Sequence, residues 1–174
     1  MKIEICLAGM KDAELIADLS RQTFYDTFAS QNTKGDMEKF MSEQFTKQAL
    51  MEEVENKENI FFLAYVDGEV GGYVKLREGK GRSEFRNLQS IEIARIYAVN
   101  STIGKGVGSA LMQKCIDIAR EKHRQIIWLG VWKENTRAIE FYKRWGFEIF
   151  GEQDFLLGDD LQKDWLMKKE LDTN

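Results

Sequence analysis

The chain has no proline, one histidine and two cysteines in 174 residues, and no apolar run long enough to span a membrane. The single histidine, His123, lies in Arg120-Glu121-Lys122-His123-Arg124. Histidine-based triads and multi-histidine metal sites are therefore excluded, and acid–base chemistry falls to carboxylates, tyrosine or water. His123 itself reads as a solvated residue at a basic helix end. Cys6 and Cys115 have neither metal-type nor redox-type spacing, and free thiols fit a reducing compartment. Cys115 reads as a core residue. The segment Met1-Lys2-Ile3-Glu4-Ile5-Cys6-Leu7 is too short and too charged for a signal peptide. A cytoplasmic protein with no membrane partner is expected. The missing proline carries no reading by itself. Against 25 basic residues stand 29 acidic ones, a net charge of −4 that opposes nonspecific nucleic-acid binding and mildly suits a cationic ligand. With 43% hydrophobic and 31% charged residues, a chain of this length can build one well-packed core but not two ordinary domains. One domain over 1–174 is predicted.

What the chain does have is glycine in one telling place. Ile96-Tyr97-Ala98-Val99-Asn100-Ser101-Thr102-Ile103-Gly104-Lys105-Gly106-Val107-Gly108-Ser109-Ala110-Leu111 reads as a strand, a glycine loop and a helix start. Glycines permit backbone angles that other residues resist and keep side chains out of the way. Successive N–H groups can then converge on a phosphate at the positive end of the helix. The spacing is not that of a P-loop, because Lys105 lies between glycines and no lysine precedes Ser109. Nor is it a dinucleotide fingerprint, since the third glycine would fall on Ser109. A phosphate-bearing ligand is expected; a tight turn that binds nothing is the bland alternative.

A second segment follows: Trp132-Lys133-Glu134-Asn135-Thr136-Arg137-Ala138-Ile139-Glu140-Phe141-Tyr142-Lys143-Arg144-Trp145-Gly146-Phe147. Together the two resemble the GCN5-related N-acetyltransferase (GNAT) family, with its [QR]-x-x-G-x-[GA] motif for coenzyme A and N-x-x-A-x-x-x-Y-x-x-x-G-F on a later helix. Asn135, Ala138, Tyr142, Gly146 and Phe147 match the second motif residue for residue. Within that family, Ser90–Tyr97, Ile127–Trp132 and Gln22-Thr23-Phe24-Tyr25-Asp26-Thr27-Phe28 look like the bacterial PaiA-type spermidine/spermine acetyltransferases, and the likeness covers nearly the whole chain. One departure is Ile103, which stands where the family has Gln or Arg. It removes a polar side chain and leaves the main-chain amides.

Periodicity gives the order of elements. Residues 2–7 suit a strand. Residues 12–28 suit a helix with Leu15, Ile16, Leu19 and Phe24 at helical spacing, and about 35–56 a second, broken helical region. Residues 59–66 and 69–76 flank Asp67-Gly68, a hairpin signal. Residues 79–89 read as a loop, 90–98 as a strand, 106–122 as a helix, 125–131 as a strand, and 135–145 as a helix closed by Gly146. Strands at about 147–156 and 163–170 complete a hairpin around Gly158-Asp159-Asp160. The resemblance implies an α/β (α+β) GNAT fold, a mixed, strongly twisted sheet of about seven strands with helices on both faces. It further implies that the strand ending at Ala98 and the strand 125–131 splay apart to admit pantetheine.

The resemblance also implies site roles. Coenzyme A or acetyl-CoA would lie against Ile96, Tyr97, Ala98, Ile103, Gly104, Lys105, Gly106, Val107, Gly108, Ser109, Ala110, Asn135, Ala138 and Tyr142, with no metal. An alkylammonium has a pKa of about 10.4, so acetyl transfer needs a proton acceptor. Glu92, six residues before Ala98, is the candidate base, with an outward strand residue or a simple substrate contact as the alternative. The Ala98 N–H would stabilise the oxyanion, and Tyr142 would protonate the leaving thiolate, its plain alternative being a core aromatic. Tyr25, Asp26, Phe28 and Glu92 would hold a polyamine. Acceptors of another kind (a protein N-terminus, lysine or other small amine) and a noncatalytic acyl-CoA-binding regulatory domain stay open, as does a homodimer.

Overall fold

The computed structural model describes residues 1–79 and 81–172. Lys80, inside the expected 79–89 loop, and Thr173 and Asn174, at the end of the expected domain, lie outside the described residues. Strand β1 (Ile3–Leu7) is followed by helices α1 (Ala13–Phe28), α2 (Lys34–Lys39) and α3 (Lys47–Glu55), with a π-turn over Phe40–Gln44 between the last two. Strands β2 (Asn59–Val66), β3 (Glu69–Arg77) and β4 (Ser90–Ala98) come next, then α4 (Val107–Glu121), β5 (Ile126–Trp132), α5 (Thr136–Arg144), β6 (Glu148–Leu157) and β7 (Asp160–Glu170). The seven strands form one sheet in the order β1-β2-β3-β4-β5-β7-β6, in which only the β4–β5 pair is parallel. The expected mixed sheet of seven strands is found.

Local chemistry accounts for most boundaries. Asp67 and Gly68 both have positive φ, 50° and 88°, the backbone of a type I′ turn whose twist matches the strands it joins. Helix α5 ends at Gly146, where φ is 90° and the N–H donates to the Lys143 carbonyl. The helical region after α1 breaks where anticipated. Thr33 and Thr46 cap α2 and α3 through their hydroxyls, and Arg21 donates to the Met41 and Phe45 carbonyls that the π-turn leaves free. Two expectations need correction. Leu15 is exposed, because α1 buries Ala13, Ile16, Ala17, Leu19, Ser20, Thr23 and Phe24 instead; Ser20 and Thr23 can go inside since their hydroxyls donate to Ile16 and Leu19 carbonyls. The last strand begins at Asp160, three residues early, because Gly158 (φ 64°) and Asp159 alone make the turn and Leu157 pairs directly with Asp160.

Helices cover both faces. Against one face α4 and α5 bury Val107, Leu111, Cys115, Ile139 and Tyr142 on Val74, Ile91, Ile93, Leu129 and Met167. Against the other, α1 to α3 bury two smaller clusters, one around Phe24, Phe40 and Phe45, the other around Ile16, Leu63 and Tyr73. This second face also hides charge. Lys75, 2% exposed, donates to Glu53 of α3 at 2.5 Å, and Arg95 donates to the same carboxylate at 2.8 Å and to the Tyr73 hydroxyl at 3.1 Å. Burial, joined by the Arg95 charge, pushes the Lys75 ammonium down to about 8 against the pull of Glu53. Burial alone would raise the Glu53 carboxyl; the bonds from Arg95 and Lys75 win and hold it below its ordinary value. Removing the shared acceptor would strand two cations, so Glu53→Ala is expected to cost about 3 kcal/mol. In a chain of this size that is roughly 6 to 12 °C in a thermal melt, and a change within 1–2 °C would show the network to be dispensable.

Candidate active site

The site begins with a ladder that stops. β4 and β5 pair at Ser90–Ile126, Ile91–Ile127 and Glu92–Trp128, and no further, although β4 continues to Ala98 and β5 to Trp132. The cause is local. Across β3 and β4, Leu76 faces Ile93 but Lys75 faces Arg95, so Ala94 is an extra residue in β4. A bulge of this kind bends its strand and turns it away from a neighbour. Beyond the bulge the backbone edge of β4 faces a gap. The Val99 N–H donates to the Gly71 carbonyl on the β3 side at 2.8 Å. By strand alternation the Ala98 N–H then points to the opposite side, toward β5.

At the open end of the gap sits the glycine loop. Asn100–Thr102 form a 3₁₀ turn anchored by the Thr102 hydroxyl, which donates to the Gly71 carbonyl at 2.8 Å. Gly104 and Gly106 follow with φ of 83° and 90°, values that a side chain strains against. Gly106 caps α4 without a side chain, and among the described residues the N–H groups of Val107, Gly108 and Ser109 have no acceptor. These amides and the positive helix end form a cradle whose donor set fits a phosphate. Ile103 and Lys105 are exposed beside it, and Ala110 already belongs to the helix, donating to the Gly106 carbonyl.

Tyr142 reaches the gap from the α4–α5 side. Asn135 caps α5 by accepting from the Ala138 N–H at 3.3 Å, so this Asn has a structural task whatever it binds. Two turns on, Tyr142 packs against Phe141 and Phe147, is 8% exposed, and has no hydrogen-bond partner for its hydroxyl among the described residues. Burial, with the Cys115 thiol acting in the same direction, pushes its phenol above the ordinary value. It therefore holds its proton at neutral pH and can act as an acid but not as a base. The Cys115 thiol is itself pushed up to about 12 by burial and is inert.

On the other face the acceptor-side expectations divide. Phe28 does come to the gap, its ring 5.9 Å from that of Trp132 at the end of β5, edge to face. Tyr25 is 51% exposed, and Asp26 is exposed and bonded to Gln22. Asp26 and Phe28, two residues apart, lie about 200° apart around α1, so the helix does not bring both to one cleft. Glu92 stands at the closed end of the gap, where Arg77, its cross-strand partner on β3, donates to it at 2.9 Å. It lines a small cavity with Glu58, Arg77, Ser90 and Trp128.

The acceptor face holds two more groups: Tyr97, expected as a cofactor contact, and Asp164, which was not anticipated. The Tyr97 side chain stacks on Tyr73 at 6.1 Å on the acceptor face. Burial, aided by Tyr73, Tyr142 and Asp164, raises its phenol. Asp164 of β7 is 9% exposed and directly faces Trp132 of β5. Its signal was present in the sequence: Gln162, Asp164 and Leu166 alternate as an inward row of the last strand. Among the described residues no helix is long and apolar enough to cross a membrane, and no group of three or more His, Cys, Asp or Glu side chains is set to hold a metal ion.

Known proteins resemble this chain in sequence and fold. Residues 21–147 fit the acetyltransferase (GNAT) family. An uncharacterized N-acetyltransferase of Lactobacillus delbrueckii subsp. lactis is 37% identical over 169 residues, 97% of this chain and 98% of that one. The spermidine N(1)-acetyltransferase of Thermoplasma acidophilum is 23% identical over 153 residues, covering 86% and 90% of the two chains. The crystal structure of the PaiA N-acetyltransferase of the same organism, in complex with coenzyme A, superposes with a TM-score of 0.79 at 22% identity over 98% of this chain and 100% of that one. The family match spans most of the residues that build the divided sheet, the glycine cradle and α5, and the chain belongs to the GNAT family of acetyl-CoA-dependent N-acetyltransferases.

Proposed function

We propose that this N-acetyltransferase acts on polyamines of the spermidine and spermine type. The observation that carries the reading of the site is the free inner edge of β4, with a phosphate cradle at its open end and a protonated phenol beside it. In this reading the loop from Gly104 to Ala110 holds the pyrophosphate, chiefly through the free amides of Val107, Gly108 and Ser109. The edge from Ile96 to Ala98 bonds the pantetheine arm, and Asn135 and Ala138 shape the wall from which Tyr142 projects. The thioester supplies an activated acetyl group. The Ala98 N–H stabilises charge on the carbonyl oxygen under attack, and Tyr142 gives a proton to the departing sulfur. Phe28 and Trp132 supply an apolar wall for the methylenes of the acceptor. Glu92, with Glu58 near it, attracts cationic amines toward the closed end of the gap. Support for the polyamine class comes from the Thermoplasma spermidine acetyltransferase.

Three measurements check this reading. Gly106→Val puts a β-branched side chain at φ 90° and into the cradle, so calorimetric affinity for coenzyme A should fall at least tenfold; unchanged affinity would remove the loop from the site. Tyr142→Phe keeps the packing and loses the acid, so kcat should drop about 100-fold with cofactor affinity intact. Full turnover with chemistry rate-limiting would leave Tyr142 a core aromatic. In a thiol-release assay, spermidine or spermine should show higher kcat/KM than lysine, aminoglycosides or peptides, with a polyamine KM that rises with salt. Efficient acetylation of a peptide N-terminus without polyamine turnover would overturn the substrate class and leave the acetyltransferase standing.

A further inference from the structure

Amine acetylation requires a proton acceptor on the acceptor side of the gap, and Glu92 is committed to Arg77 at its closed end. The sheet register brings another carboxylate to the open part. Asp164 faces Trp132 of β5 and Gln153 of β6. Directly opposed residues of antiparallel strands share a face, so Trp132, Asp164 and Gln153 form a row across the sheet. This is the face on which Phe28 meets Trp132. Two residues before Trp132 on the same face is Gly130, which is exposed and lies past the last residue of β5 paired to β4. A Cβ on Gly130 would come 2.6 Å from the Gln153 amide nitrogen and 3.6 Å from Asp164 Oδ2. The carboxylate thus overhangs bare β5 backbone at the edge of the gap.

Asp164 is poorly satisfied for a group so buried. Its one side-chain hydrogen bond among the described residues comes from Gln153 Nε2 at 3.4 Å, long for a bond to a carboxylate. Glu53, by contrast, has two cations and Glu92 one. Burial raises the Asp164 carboxyl above its ordinary value, and the Gln153 bond opposes this only in part. The neighbouring groups explain why. Trp132, Gly130 and Gln153 carry no charge, Tyr97 of β4 is the titratable group that feels Asp164, and the pairs Lys163–Asp154 and Lys133–Glu152 belong to strand positions of the opposite face.

We propose that Asp164 is the catalytic base, taking the proton from the acceptor ammonium before the amine attacks the thioester; this rests on the acetyltransferase reading of the gap. The step balances. R–NH₃⁺ and the Asp164 carboxylate become R–NH₂ and the carboxylic acid, the amine forms the C–N bond, and the C–S bond breaks. The second nitrogen proton leaves to solvent as the amide forms, Tyr142 protonates the thiolate and is re-protonated from solvent, and Asp164 returns its proton to water. Transfer within a buried ammonium–carboxylate pair removes two charges at once, which makes it easier than the same transfer in water.

The test compares two acceptors on Asp164→Asn, an ordinary primary alkylamine and a weakly basic fluorinated amine that is already neutral at pH 7. The variant should lose about 100-fold or more in kcat/KM with the alkylamine and under tenfold with the fluorinated amine, with coenzyme A affinity unchanged. Wild-type rates with the alkylamine, or equal losses with both amines, would overturn the proposal. Gln153→Leu keeps the carboxylate and covers the case of a misfolded Asp164→Asn. Losing the donor raises the Asp164 pKa further, so the acid limb of kcat/KM should move to higher pH, and an unmoved limb also overturns it. Wild-type protein that binds coenzyme A but acetylates neither these amines, nor spermidine, nor a peptide N-terminus would overturn the underlying acetyltransferase reading itself.

Discussion

The ladder between β4 and β5 ends after Glu92 and Trp128, and the rest of the molecule is arranged around that ending. A buried strand edge with unpaired N–H and C=O groups is costly, and a sheet ordinarily closes it. Here the extra residue Ala94 bends β4 away, and closing the gap would require the bulge to be undone. The bent strand is pinned at the next residue, because Arg95 is tied to Glu53 and Tyr73. The buried ions of the acceptor face are therefore coupled to the opening itself. A group that enters the gap supplies the bonds β5 does not.

The two sides of the gap differ in chemistry because the two faces of the sheet differ. On the α4–α5 side the lining is apolar, and the Tyr142 phenol is buried among hydrocarbons that keep it protonated. On the α1–α3 side lie Tyr97, Trp132, Phe28 and the carboxylate of Asp164. A reaction that delivers a proton to sulfur and removes one from nitrogen needs such a division, with an acid on one side and a base on the other. The two faces of the sheet provide it, with Tyr142 of helix α5 packed on one and Asp164 of β7 in the row of the other.

Much of this was legible in the sequence. The glycine loop, the Asp67-Gly68 hairpin and the Gly146 cap were readable because each depends on a local backbone requirement that only certain residues meet. Other features depend on pairings between residues far apart in the chain. Lys75 looks like any strand lysine until Glu53, 22 residues earlier, covers it. Asp164 gains its meaning from Trp132 and Gln153, through a register set by the turn at Gly158-Asp159. Glu92 was visible as a strand carboxylate; its engagement with Arg77 was not. The group Tyr25, Asp26 and Phe28 is implied by the resemblance of one continuous run, Gln22 to Phe28, whereas a helix sorts neighbours to different sides.

The strand order has a consequence for how the protein is made. β7 lies between β5 and β6 and is the last of the seven strands among the described residues. During synthesis β1 to β4 and the glycine loop emerge first and can pair in sequence, each strand with its predecessor. β5 then arrives with only three ladder positions on β4 and must wait for β7 to cover its other edge. The second wall of the reaction chamber is therefore incomplete until β7 has emerged, and a nascent chain stalled before Asp160 would present one long edge of β5 unpaired to the cell.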